Sequence, residues 1–224
     1  MGFSSPQAML QSLLHSGKYS DLTISCEGKR FQVHRAIVCS QSSFFDAALK
    51  GGFKEASLSE VDLPDDDLAT IQRVISFLYN QDYQDTNESQ VQSRNCALDH
   101  DIEPHAAMWN NLRVFIAADK FDISPLKDLA RSRIIEWIDK NASKSPLIIE
   151  KIWTTIPPYE TLLRDAITKS ISSDADRFLT HDESIEVMQN LPDITISILK
   201  ELVAVNYSMK VQIDLSKKKL LPRR

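Results

Sequence analysis

Residues 19–38 read YSDLTISCEGKRFQVHRAIV, and the period of their apolar positions decides the fold class. Leu22, Ile24 and Cys26 alternate with polar neighbours, as the residues of a half-buried strand do. Glu27-Gly28-Lys29 supplies a turn, and Phe31 and Val33 resume the alternation as far as His34, so the stretch predicts a β-hairpin. A helix is expected directly after it, on Ala36, Ile37 and Val38.

On the amino-terminal side, residues 7–16 carry Met9, Leu10, Leu13 and Leu14 at helical spacing, behind a Pro6 suited to a first helical position. Ten residues rarely hold a helix alone in water, so this one needs a surface to lie against. On the carboxy-terminal side, Ser42 or Ser43 can cap a helix holding Phe44, Phe45, Ala48 and Leu49, with Gly51-Gly52 ending it. Val61 and Leu63 suggest a third short strand, and Asp65-Asp66-Asp67 puts acids where a helix dipole favours them. Leu68, Ile71, Val74, Ile75 and Leu78 then repeat at helical spacing. Residues 84–106 are polar and aperiodic and read as a loop or insertion. Helices resume with Met108, Leu112, Phe115 and Ile116, and Ser124-Pro125 opens another. Beyond residue 140 only helical stripes remain, punctuated by Pro146, Pro157-Pro158 and Pro192, and the closing KKKLLPRR looks frayed.

Composition narrows the function. A 42% apolar and 25% charged chain of 224 residues is ordinary for a globular protein. A net charge of −5 argues against gripping phosphate backbones, so nucleic acid is not an expected partner. No apolar run reaches the length of a membrane span, and MGFSSPQAMLQSLLHSG lacks the basic start and apolar core of a secretory signal. A place inside the cell, cytoplasmic or nuclear, is therefore expected. Cys26, Cys39 and Cys96 make neither a disulfide framework nor a metal pair and are expected as reduced thiols. All five glycines fall at or before residue 52, and neither phosphate-cradling motif of the nucleotide enzymes occurs. No cofactor is expected.

The quoted fragments together resemble the BTB/POZ family. Tyr19-Ser20-Asp21-Leu22-Thr23-Ile24 is similar to its opening strand, Phe31 to Val38 to its F-x-x-H-[KR]-x-[IVL]-L segment, and Ser40-Gln41-Ser42-Ser43-Phe44-Phe45 to x-x-S-x-[YF]-F. Phe53-Lys54-Glu55, Phe77-Leu78-Tyr79 and Ala117-Ala118-Asp119-Lys120-Phe121 follow in the family's order and spacing. The resemblance covers about residues 7–140. It implies an α+β BTB/POZ fold, a small three-stranded sheet with a cluster of helices, over residues 1–140. An all-helical extension over 141–224 resembles the one in many fungal members. The family works by protein–protein interaction, so the resemblance implies a homodimer that brings a client protein to a cullin-RING ubiquitin ligase. A self-association scaffold or a transcriptional regulator is the alternative. No zinc finger, kelch repeat or MATH-like segment is visible in these residues to read a client.

Candidate sites follow from the same resemblance. Met9, Leu10, Leu13 and Leu14 are assigned to a dimer interface, an ordinary core stripe being the alternative. Asp21 and Arg35 are assigned to a buried charged pair, since a lone buried charge is expensive. Phe53 and Glu55 resemble the hydrophobic-x-Glu element that docks cullins; otherwise Phe53 tucks into the domain. No catalytic residue is expected: His34 has no visible nucleophile to serve and reads as a core histidine donating to a backbone group. Asp99, His100, Asp101, Glu103 and His105 form a metal-like cluster only on paper, because a polar loop fixes no ligand geometry. Lys217, Lys218, Lys219, Arg223 and Arg224 read as a solubilising end, with nuclear import as the alternative.

Overall fold

A computed structural model describes residues 5–50, 52–86 and 105–220. The chain divides into two compact units, Met1–Arg133 and Ile134–Arg224. The boundary between them falls within the helix Ser124–Asn141. Its buried Leu126 and Ala130 belong to the first unit, and its buried Ile134 and Ile138 to the second.

The first unit opens with α1 (Pro6–Ser16). The Ser5 side chain accepts from the Ala8 amide at 3.1 Å and Pro6 takes the first helical position. Gly17 closes it at φ 60°, a left-handed conformation that costs glycine nothing, with its N–H returned to the Leu13 carbonyl. The hairpin follows as β1 (Leu22–Cys26) and β2 (Lys29–Val33), paired antiparallel from Leu22 opposite Val33 to Cys26 opposite Lys29. Its loop is one residue tighter than the sequence suggests. Glu27 and Gly28 alone form it, both at positive φ (47° and 78°), which matches the twist of the flanking strands, and Lys29 already belongs to β2.

Three short helices then cross over: α2 (Arg35–Cys39), α3 (Ser43–Leu49) and α4 (Lys54–Leu58). They deliver β3 (Glu60–Asp62) parallel to β1, giving the sheet order β2-β1-β3. The central position of β1 explains why Leu22, Ile24 and Cys26 are all buried. Asp67 caps α5 (Leu68–Asn80), its carboxylate accepting from the Thr70 amide at 2.8 Å. Burial works against ionisation of Asp67, but the Thr70 hydroxyl and amide outweigh it and hold the carboxyl below its usual value. α6 (Ala106–Lys120) and the start of α7 (Ser124–Asn141) complete the unit. Of the residues read as the α6 stripe, Met108, Leu112 and Phe115 are buried, whereas Ile116 faces solvent.

Ser42 ties the unit together across the chain. It caps α3 by accepting from the Phe45 amide and donates its hydroxyl to the Phe121 carbonyl at 2.6 Å. Phe44, Phe45 and Phe121 meet beside it with ring centroids 5.2 Å apart.

In the second unit, a 3-10 turn at Ala142–Lys144 leads to α8 (Pro146–Thr155), α9 (Thr161–Ser173), α10 (Ala175–Leu179), α11 (Asp182–Asn190) and α12 (Pro192–Leu220). Ile149, Ile152, Leu163, Ile167, Phe178 and Val187 are fully buried in it. Trp153 donates its indole N–H to Asp193 at 2.8 Å while Arg164 lies over the indole ring at 4.2 Å. The stripe read at residues 159–171 is buried at Leu163, Ile167 and Ile171, but Tyr159 and Leu162 face outward. The carboxy-terminal end, expected to fray, continues as helix to Leu220.

Candidate interaction site

The hairpin, α2 and α5 are pinned by one buried histidine. The His34 Nε2 lies 2.9 Å from the Lys18 carbonyl, which only accepts, so Nε2 carries the ring proton. Nδ1 is then an acceptor and takes the Tyr79 hydroxyl proton at 2.7 Å, while the same hydroxyl oxygen accepts the His34 main-chain N–H at 2.9 Å. Every polar atom of the imidazole is used structurally, and one bond goes to a backbone carbonyl, as expected of a core histidine. Burial pushes the Tyr79 hydroxyl up to about 12, with the His34 amide pulling the other way and Asp21 adding to the rise.

Asp21 and Arg35 do come together, but not as a buried ion pair. The Asp21 carboxylate accepts from the Arg35 main-chain N–H at 2.7 Å, and the Arg35 guanidinium donates instead to the Leu49 carbonyl at 3.2 Å. Asp21 is exposed and Arg35 half-buried. The reason is local: the start of α2 has an amide with no helical partner, and the end of α3 has a carbonyl in the same state. Each charged side chain answers a helix end, so neither is left to the other.

Met9, Leu10, Leu13 and Leu14 are all at least partly open on α1, Met9 being 42% exposed and the other three half-buried. No residue of α1 is fully buried. The helix finds the surface it needs along α5. The contact is one-sided. A groove of about 540 Å³ stays open between the end of α1, β2 and α5, lined by Leu14, Gly17, Phe31 and Ile75 among others.

Phe53 sits at the N-cap of α4 with 63% of its surface exposed, and Glu55 is half-buried two residues on, in the first turn of the helix. The reading that tucked Phe53 into the domain is overturned. Leu58, at the far end of α4, is exposed as well, so this short helix presents two large apolar side chains to solvent around one acid. Glu55 has no ion-pair partner among the described residues.

The thiols are quiet. Cys26 is fully buried, its Sγ 3.1 Å from the Asp66 carbonyl, and burial together with the acids Glu27, Asp66 and Asp67 raises its pKa. Cys39 is half-buried, and burial with the nearby Asp46 raises it too. A raised thiol pKa is the opposite of nucleophile activation. Cys96 lies outside the described residues.

A second polar cluster was not visible in the sequence. At the foot of the 84–106 segment, the Tyr83 hydroxyl donates to the side-chain Oδ1 of Asn111 at 2.6 Å, and the side-chain Nδ2 of neighbouring Asn110 donates to the Asp85 main-chain carbonyl at 2.8 Å. Arg133 donates to the Tyr83 carbonyl at 2.8 Å and to Asp82 at 2.6 Å, with its guanidinium over the Tyr83 ring at 4.3 Å. Burial pushes Tyr83 up to about 12 against the opposing charge of Arg133. Asn110 and Asn111 are buried inside α6, where side chains of their type normally signal a solvated face.

Of the paper metal cluster only His105 is described, and among the described residues no group of three or more metal-ligating side chains is placed to hold an ion. Arg223 and Arg224, and the side chains of Lys217, Lys218 and Lys219, lie outside what is described. No helix among the described residues is long and apolar enough to cross a membrane.

A family model for the BTB/POZ domain matches residues 10–136. Human Kelch repeat and BTB domain-containing protein 4 is 31% identical over 74 residues, covering 33% of this chain and 14% of that protein. A BTB/POZ domain-containing protein of Arabidopsis thaliana is 25% identical over 130 residues, covering 58% of this chain and 33% of its own length. The chain thus spans well under half the length of these relatives. Among solved structures, the BTB domain of zebrafish PATZ1 superposes with a TM-score of 0.40 at 12% identity, over 56% of this chain and 85% of that one.

Proposed function

The chain belongs to the BTB/POZ domain family, and from that premise we propose that it is a non-catalytic, homodimerising interaction module that serves as an adaptor for a cullin-RING ubiquitin ligase. The observation that carries the cullin part is the exposed Phe53 beside Glu55 on α4. An apolar side chain left in water next to an orienting acid has the form of a small docking hot spot. Homodimerisation is supported by the half-open apolar stripe of Met9, Leu10, Leu13 and Leu14, which α5 covers on one side only. The absence of chemistry of its own is supported by the full structural employment of His34 and the raised thiols of Cys26 and Cys39. Its place of work on this reading is inside the cell, in the cytoplasm or nucleus.

The test is a pull-down of purified cullin scaffolds by the full chain and by a Phe53→Ala, Glu55→Lys variant. Capture by the natural sequence and loss in the folded variant supports the adaptor. Failure of the natural sequence to bind any cullin at tens of micromolar removes it and leaves a self-association scaffold or a transcriptional regulator.

A further inference from the structure

The second half of α12 buries less than any stretch of comparable length among the described residues. Residues 203–215 read VAVNYSMKVQIDL, in which every odd position from Val203 to Leu215 is a large apolar residue. All seven are between 36% and 71% exposed. The even positions after Ala204 are polar without exception.

A helix cannot gather residues spaced by two. At 3.6 residues per turn, successive odd positions lie about 200° apart around the axis, so the seven divide into two opposite stripes. A partner helix covers one stripe and leaves the other in water. A strand of the same sequence puts all seven on one face and the polar residues on the other. Residue types agree with the strand: Val203, Val205, Val211 and Ile213 are β-branched and Tyr207 is aromatic, side chains that lose freedom in a helix and suit a pleated surface.

We propose that residues 203–215 act as a self-association strand, pairing antiparallel with the same residues of a second copy of this chain. Length selects that partner. The other sheet edges among the described residues are β2, of five residues, and β3, of three, too short for a strand of about 43 Å. The pattern selects it too. With residues 203–215 fully overlapped, the two-fold axis falls at Met209. Val203 then faces Leu215, Val205 faces Ile213 and Tyr207 faces Val211. On the polar face Lys210 meets Ser208, so the only cation of the segment is not set against its own copy. The change of conformation is confined to the free half of α12, because Ile194 and Ile198 keep the first half buried. One ribbon of two strands is marginal by itself, and two ribbons stacked on their apolar faces close the surface, so assemblies of four copies are expected. This surface is separate from α1 and does not depend on what α1 does.

The test uses the full chain. Leu10→Asp with Leu13→Asp disables the α1 stripe, and the same chain is then given Val205→Ala, Val211→Ala and Ile213→Ala as well. Alanine favours helix and strips the strand of its face. Light scattering should show self-association in the first protein and a loss of at least tenfold in the second, with a matching fall in the strand band of the infrared spectrum. A first protein that is monomeric at tens of micromolar, or a second that associates equally well, overturns the proposal. Cysteine crosslinking with α1 intact is an independent arm. Met209→Cys should give a linked dimer well above the background from the three native cysteines, and Lys210→Cys much less. Equal yields at the two positions overturn the strand register.

Discussion

Tyr79 serves His34 twice, its hydroxyl oxygen accepting the main-chain N–H at 2.9 Å and its proton going to Nδ1 at 2.7 Å. One hydroxyl thereby satisfies two buried groups of a residue 45 positions away, and through the opposite ring nitrogen it also fixes the Lys18 carbonyl. Tyr79→Phe keeps the ring and leaves both groups of His34 without a partner. The loss should be about 1–3 kcal/mol for each group. Denaturant titration measures it, and an unchanged midpoint would mean that water replaces the hydroxyl.

Tyr79 and Tyr83 also set a limit at high pH. Both are pushed up to about 12 from 10, mainly by burial. The unfolded chain therefore loses these protons first, and the contribution of each is complete below pH 10 and lost as the pH climbs towards 12. The stability curve should fall over that window by on the order of 2 kcal/mol per tyrosine. Tyr83→Phe should flatten part of the fall. An identical alkaline slope in the variant counts against the buried, neutral Tyr83 described here.

Asp21 and Arg35 should behave as two helix-end contacts and not as an ion pair. Asp21→Ala removes one capping acceptor at an exposed position, a loss of about 1 kcal/mol. Asp21→Asn keeps an acceptor and should lose less. The exchange Asp21→Arg with Arg35→Asp should show no recovery beyond the sum of the single changes. Recovery in that double mutant would restore the ion pair.

The α1 stripe predicts a mass. Light scattering of the natural chain should give at least twice 25.4 kDa, and removal of residues 1–16 should lower it. Circular dichroism must accompany the truncation, because α1 also lies along α5. A natural chain that runs as a monomer at micromolar concentration ends the dimer reading.

The docking pair predicts a clean separation of binding from folding. Phe53 is exposed, so Phe53→Ala should move stability by only about 0.5 kcal/mol. Loss of a hot-spot side chain typically costs about 2 kcal/mol of binding, close to thirtyfold. A large fall in melting temperature for Phe53→Ala would place that ring in contact with the core.

Local signals were legible in the sequence and distant ones were not. The hairpin joins neighbouring strands across a two-residue turn, and the serine cap of α3, the acid at the start of α5 and the prolines opening α1 and α8 involve residues within four positions of each other, so all of these are local in the sequence. The bond from Ser42 to Phe121 spans 79 residues and that from His34 to Tyr79 spans 45, so no periodicity announces them. Asn110 and Asn111 look like a solvated face until Tyr83 and Asp85 supply their partners. The family resemblance pairs Asp21 with Arg35, whereas the helix ends beside them, invisible in one dimension, offer each a closer partner. The alternation at residues 203–215 was present in the sequence throughout, but the prolines and stripes before it favour reading the whole third as helical.

The position of β1 at the centre of the sheet also bears on synthesis. Its antiparallel partner β2 begins three residues after it ends, but its parallel partner β3 comes much later, Ser25 lying 37 residues ahead of the Asp62 it bonds. At about 5–20 residues per second, the ribosome leaves one edge of β1 unsatisfied for roughly two to seven seconds. During that interval Leu22 and Ile24 belong to a two-stranded hairpin with an open, apolar border, the kind of border that recruits another strand. A nascent chain stalled before Glu60, or a fragment cut there, is therefore the form of this protein most in need of a chaperone.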